Sequence, residues 1–95
     1  MKKEDKEQIK EIITKYLDES KYDIFIFGSM ATGSENKYSD YDIGISGESE
    51  VPGAKMANIQ ADLEESEILR KVDVVDFFIV TDDFKKNALE KIIKL

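Results

Sequence analysis

Two aspartates, Asp40 and Asp42, stand one residue apart in the stretch Asp40-Tyr41-Asp42-Ile43-Gly44-Ile45. If this stretch is extended, a side-chain period of two puts both carboxylates on one face, with Cα atoms about 7 Å apart. Carboxylates aimed into one small volume repel unless a cation lies between them. Mg²⁺ suits such a pair, because it takes one or two protein carboxylates and fills its other positions with phosphate oxygens and water. Two Mg²⁺ ions about 3.5–4 Å apart can clamp the attacking and leaving oxygens of a phosphoryl-type displacement. Acidic residues also gather at solvated strand ends, so the pair alone does not decide the chemistry.

A second signal lies upstream, where Gly28-Ser29 follows the run Asp23-Ile24-Phe25-Ile26-Phe27 and precedes Met30-Ala31-Thr32-Gly33. A chain that leaves a strand here and turns into a short helical segment offers backbone N–H groups to an anion. Gly28 lets a phosphate approach with no Cβ in the way, and Ser29 adds a hydroxyl donor. A third carboxylate would complete a metal-phosphate site, and Val72-Asp73-Val74-Val75-Asp76-Phe77 supplies two candidates. An acid inside an apolar strand costs free energy unless it is paired or bound to a metal. Asp73 lies nearer the end that would meet Asp40. Asp76 has the opposite parity and is expected on the other face, as a strand-end or helix-contacting acid.

Residues 4–19 carry Ile9, Ile12, Ile13, Tyr16 and Leu17 at helical spacing. Residues 23–27 are β-branched and aromatic, which favours a buried strand. A short helical turn ends at Gly33, and Asp40 to Ser46 alternate as a second strand. Residues 54–68 read as a helix with Met56, Ile59 and Leu63 inward, ahead of an apolar strand within Lys71 to Val80. Thr81 is the expected cap of a last helix carrying Phe84, Ala88, Leu89, Ile92 and Ile93 inward. The fold class is therefore α/β (α+β), in the order α-β-α-β-α-β-α, with a small mixed sheet of about three strands in one domain over residues 1–95. If the first two strands are antiparallel neighbours, the Gly-Ser turn meets the Asp pair. If the third runs parallel to the second, with the 54–68 helix as crossover, Asp73 joins them.

The chain has neither cysteine nor histidine, which removes disulfides, Cys/His zinc sites, thiol nucleophiles and Ser-His-Asp triads. Metal chemistry must then use carboxylates, which favour hard ions such as Mg²⁺. A net charge of −7 argues against direct nucleic-acid binding and against docking on an anionic membrane. No stretch reaches membrane-spanning length, and the N-terminal residues lack the apolar core of a signal peptide, so a cytoplasmic location is expected.

Phe25-Ile26-Phe27-Gly28-Ser29-Met30-Ala31-Thr32-Gly33, followed by Lys37-Tyr38-Ser39-Asp40-Tyr41-Asp42, resembles the signature of the minimal nucleotidyltransferase family, within the DNA polymerase beta-like nucleotidyltransferase superfamily. Lys71 to Phe77 is similar to the strand carrying that family's third carboxylate. The resemblance implies that Gly28 and Ser29 hold the β- and γ-phosphates of ATP or another nucleoside triphosphate. It implies that Asp40, Asp42 and Asp73 carry two Mg²⁺ ions and are the catalytic residues, with Asp73 helping to deprotonate an acceptor hydroxyl. Many family members have Arg or Lys where this chain has Thr32, leaving Lys37 as a nearby substitute. Family members of this kind commonly pair with a small helical HEPN toxin and act as antitoxins, one route being adenylylation of a toxin tyrosine. The implied alternatives are an antitoxin that acts by binding alone, and nucleotidyl transfer to a small molecule. Self-association into a homo-oligomer fits either.

Overall fold

The computed structural model describes residues 1–33 and 40–95. Its elements are α1 (Lys3–Tyr16), β1 (Tyr22–Phe27), α2 (Ser29–Thr32), β2 (Tyr41–Gly47), α3 (Gly53–Glu64), β3 (Val72–Asp76), α4 (Asp82–Ala88) and β4 (Ile93–Lys94). The sheet order is β3-β2-β1-β4. β1 and β2 are antiparallel, β2 and β3 are parallel through the α3 crossover, and β4 lies antiparallel on the far edge of β1. The mixed sheet and both expected strand orientations are present.

The two faces of the sheet are packed differently. Ile24, Ile26, Tyr41, Ile43, Ile45 and Val72 share one face and are buried with Ile9, Ile13 and Leu17 of the α1 segment and Ile59 and Leu63 of α3. The opposite face holds a small aromatic box. Phe77 meets Phe25 and Phe27 edge-on, with ring centroids 4.9 and 5.1 Å apart, and Phe84 of α4 closes over Phe27 and Phe77. Gly44 makes the box fit: a Cβ there would run into the Phe25 and Phe77 rings.

The expected C-terminal helix is corrected. α4 stops at Ala88, and Ile93–Lys94 pair with β1 instead of continuing the helix. The edge of β1 carries unpaired backbone groups, and an extended segment satisfies them where a helix cannot. Leu89, Ile92 and Ile93 are accordingly 38–41% exposed rather than inward, whereas Phe84 and Ala88 do pack against the aromatic cluster. The third helix also ends early, at Glu64 rather than residue 68.

Asp76 is buried on the α3 side, as its parity implies, and it works there as a tie. Its Oδ2 accepts from the Val51 N–H at 2.8 Å and its Oδ1 from the Phe78 N–H at 2.9 Å. The carboxylate thus joins the loop before α3 to the turn after β3. Asp76→Asn would place an amide NH₂ against one of those N–H donors. We expect it to cost about 1–3 kcal/mol in urea denaturation, the usual consequence of an unmatched buried polar pair.

Candidate active site

The site forms at the end of the sheet where β1 finishes and β2 and β3 begin. The register sets Phe27 opposite Asp42 across the antiparallel pair, and Asp42 opposite Asp73 across the parallel pair. Phe27, Asp42 and Asp73 therefore follow one another across three strands, with Gly28 just past the end of β1, and the two carboxylates share the sparsely covered aromatic face. Asp40 directly precedes β2, and the Tyr41 N–H bonds the Lys71 carbonyl at 2.9 Å to start the parallel ladder.

Electrostatics record this proximity. The Asp42 carboxyl is held above its ordinary value, first by burial, then by the negative charges of Asp73 and Asp40. Asp73 has a weak local counter-ion: Lys71, two residues earlier on the same face, lies 3.6 Å from its Oδ1, with both side chains substantially exposed. Exposed pairs of this kind contribute little. Among the described residues, no three acidic side chains are drawn together as tightly as a metal cluster requires. The donor chemistry nevertheless fits a hard divalent ion: oxygen ligands only, with charges that repel one another in its absence.

Gly28 adopts φ 72° and ψ −150°, a conformation that L side chains avoid. A Cβ at this position would also collide with the Asp42 carboxylate. The turn therefore lies directly against the acid. α2 is a single turn, with Ala31 and Thr32 N–H both directed at the Gly28 carbonyl. The Ser29 and Met30 amides belong to the first turn, where no intrahelical acceptor exists. Gly33 ends the turn in the left-handed region at φ 78°.

One supporting contact was not legible in the sequence. Tyr41, between the two aspartates, points to the other face, where it is buried and its hydroxyl donates to Asp5 Oδ2 at 2.7 Å. Arg70 lies over its ring at 5.4 Å. Burial and the Asp5 carboxylate push the Tyr41 phenol up to about 12. The strand bearing Asp40 and Asp42 is thus anchored from behind to α1. The alternation of residue types shows which way Tyr41 points, but nothing local identifies Asp5 as its partner. Lys37 and Ser39 lie outside the described residues.

Fold and site together define a nucleotidyltransferase-type domain, a small mixed sheet with a Gly-Ser turn facing strand carboxylates. The chain belongs to the polymerase beta nucleotidyltransferase family, whose model matches residues 7–95. It is 29% identical over 65 residues to the probable protein adenylyltransferase MntA of Haemophilus influenzae, a match spanning 68% of this chain and 57% of that relative's length. Its fold is similar to that of a toxin-antitoxin solved with AMP-PNP, at TM-score 0.75 and 17% identity, covering 93% of this chain and 69% of that one. It is likewise similar to a mutant of the MntA-HpeT toxin-antitoxin, at TM-score 0.74 and 15% identity with the same coverage.

The raised carboxyl of Asp42 has a stability consequence. A carboxyl whose folded value lies above its unfolded value favours folding when protonated, and that advantage is lost as pH rises from the unfolded value through the folded one. At neutral pH an ionised Asp42 is therefore a burden on the metal-free protein. Asp42→Asn is expected to raise the thermal midpoint by a few degrees at pH 7 in EDTA. The gain should disappear at a pH below the ordinary carboxylate range, as differential scanning calorimetry at the two pH values would register.

Proposed function

We propose that this domain is an Mg²⁺-dependent nucleotidyltransferase that moves AMP from ATP to a hydroxyl on a partner protein, a tyrosine of a HEPN-type toxin, and so acts as an antitoxin. The observation that carries this reading is the registered line Phe27–Asp42–Asp73, with the Gly28 turn that follows Phe27 lying against the Asp42 carboxylate. The names of the matched relatives point the same way, toward protein adenylylation and a toxin partner.

In this reading Asp40, Asp42 and Asp73 hold the metal, and Gly28 and Ser29 hold the β- and γ-phosphates. Bound Mg²⁺ supplies charge neutralisation at the phosphates and lowers the cost of ionising the acceptor hydroxyl. Asp73 accepts the hydroxyl proton, the acceptor oxygen bonds to the α-phosphorus, and the bond from the α-phosphorus to the bridging oxygen breaks, releasing pyrophosphate. Catalysis by this chain is mainly positioning, with Tyr41 and Asp5 fixing the Asp40–Asp42 strand from behind. A protein partner has a surface to dock on: β3 is an edge strand, and at its end away from the site Phe78 and Ile79 are 53% and 63% exposed. Among the described residues no helix is long and apolar enough to cross a membrane.

The test is transfer of label from ATP marked at the α-phosphorus, with Mg²⁺ and a HEPN-type toxin supplied as the acceptor protein. We expect label on a partner tyrosine, none from γ-labelled ATP, and a rate at least about 10²-fold lower with Asp40→Asn/Asp42→Asn. Saturable ATP binding without label on the partner would instead favour an antitoxin that acts by binding.

A further inference from the structure

β4 pairs with β1 so that Lys94 faces Phe25 and Ile93 faces Ile26. Carried two residues toward the site, the same register sets Lys91 opposite Gly28. The side chains agree with this extension. A cavity of about 340 Å³ opens beside the Gly-Ser turn, and Gly28, Thr32, Phe84, Asn87, Glu90 and Lys91 line it together. Thr32 and Lys91 thus share one cavity, reached from α2 and from the connection between α4 and β4.

A triphosphate bound at the turn brings several negative charges to a protein that is already acidic. The donors of the turn itself are neutral: backbone amides and the hydroxyls of Ser29 and Thr32. Among the described residues that line the cavity, Lys91 is the one cation, and no salt bridge of the described residues engages its ammonium. The neighbouring Glu90 carboxylate opposes an anion there, which makes an offsetting positive charge more necessary.

We infer that Lys91 is the cation for the terminal phosphates of the bound nucleoside triphosphate, with the Asn87 amide as a neutral donor on the same wall. This rests on the nucleotidyltransferase reading and deepens it, by assigning the charge that Thr32 does not provide to a residue outside the Gly-Ser segment. Because Thr32 lies on the same cavity, a guanidinium introduced there can reach the same space.

The experiment is calorimetric titration of ATP, and separately of AMP, into the full chain with Mg²⁺. The variants are Lys91→Ala, Lys91→Arg, Thr32→Arg/Lys91→Ala, and Lys86→Ala as a control for lost charge outside the cavity. Lys91→Ala is expected to weaken ATP about two- to fivefold, the scale of an exposed charge contact, and to leave AMP unchanged. Lys91→Arg and the double variant should restore ATP affinity, and Lys86→Ala should change neither ligand. ATP binding by Lys91→Ala equal to wild type would overturn the inference alone, as would equal weakening of ATP and AMP. Failure of the wild type to bind ATP at all would overturn the nucleotidyltransferase reading along with it.

Discussion

In the parallel pairing of β2 with β3, Asp42 is locked opposite Asp73, and neither can leave without slipping the register. A one-residue slip would turn Ile43 and Val74 out of the core and bring the acids inside, so the apolar packing enforces the electrostatic conflict. α3 buries Ile59 and Leu63 against the same core and holds the crossover in place. Gly28 contributes from the end of β1 by letting the chain turn directly against Asp42. Burial of one face of the sheet therefore stabilises an arrangement on the other face that is unfavourable until a counter-charge arrives. Such conflict is a common property of functional sites, which stability alone would remove.

The two faces divide the work. Ile and Val side chains pack against α1 and α3 on one side, where Tyr41 and Asp76 make the polar ties. On the other side, Phe25, Phe27 and Phe77 fill the middle under the short α4 and its Phe84, leaving the strand ends at Asp42 and Asp73 less covered. Asp73 and Asp76 illustrate the division: they lie three residues apart in one strand, on opposite faces. Asp76 is satisfied by backbone amides, whereas the partner of Asp73 among the described residues is an exposed lysine.

Much of this was legible in the sequence. The spacing of Asp40 and Asp42, the parity of Asp73 against Asp76 and the apolar stripe of α1 each follow from local periodicity. The strand orientations are those that let the Gly-Ser turn meet the acids. The C-terminal segment departs from its helical pattern: Leu89, Ile92 and Ile93 fit helical spacing, and periodicity cannot register that β1 has an edge needing partners. The Tyr41–Asp5 bond was invisible for a related reason. It links residues 36 apart, and nothing in either neighbourhood specifies the other.

β4 is held by two residue pairings with β1 and by the Leu95 N–H on the Ile24 carbonyl. It is the lightest attachment in the sheet, and Lys91 reaches the Gly-Ser turn only while that attachment persists. Detachment of the strand and affinity for a triphosphate then become linked equilibria: whatever a bound phosphate gains from Lys91, the strand gains in residence on β1. The C-terminal edge would behave as a clasp that ligand draws shut, with exchange protection of its amides as the outward sign of occupancy.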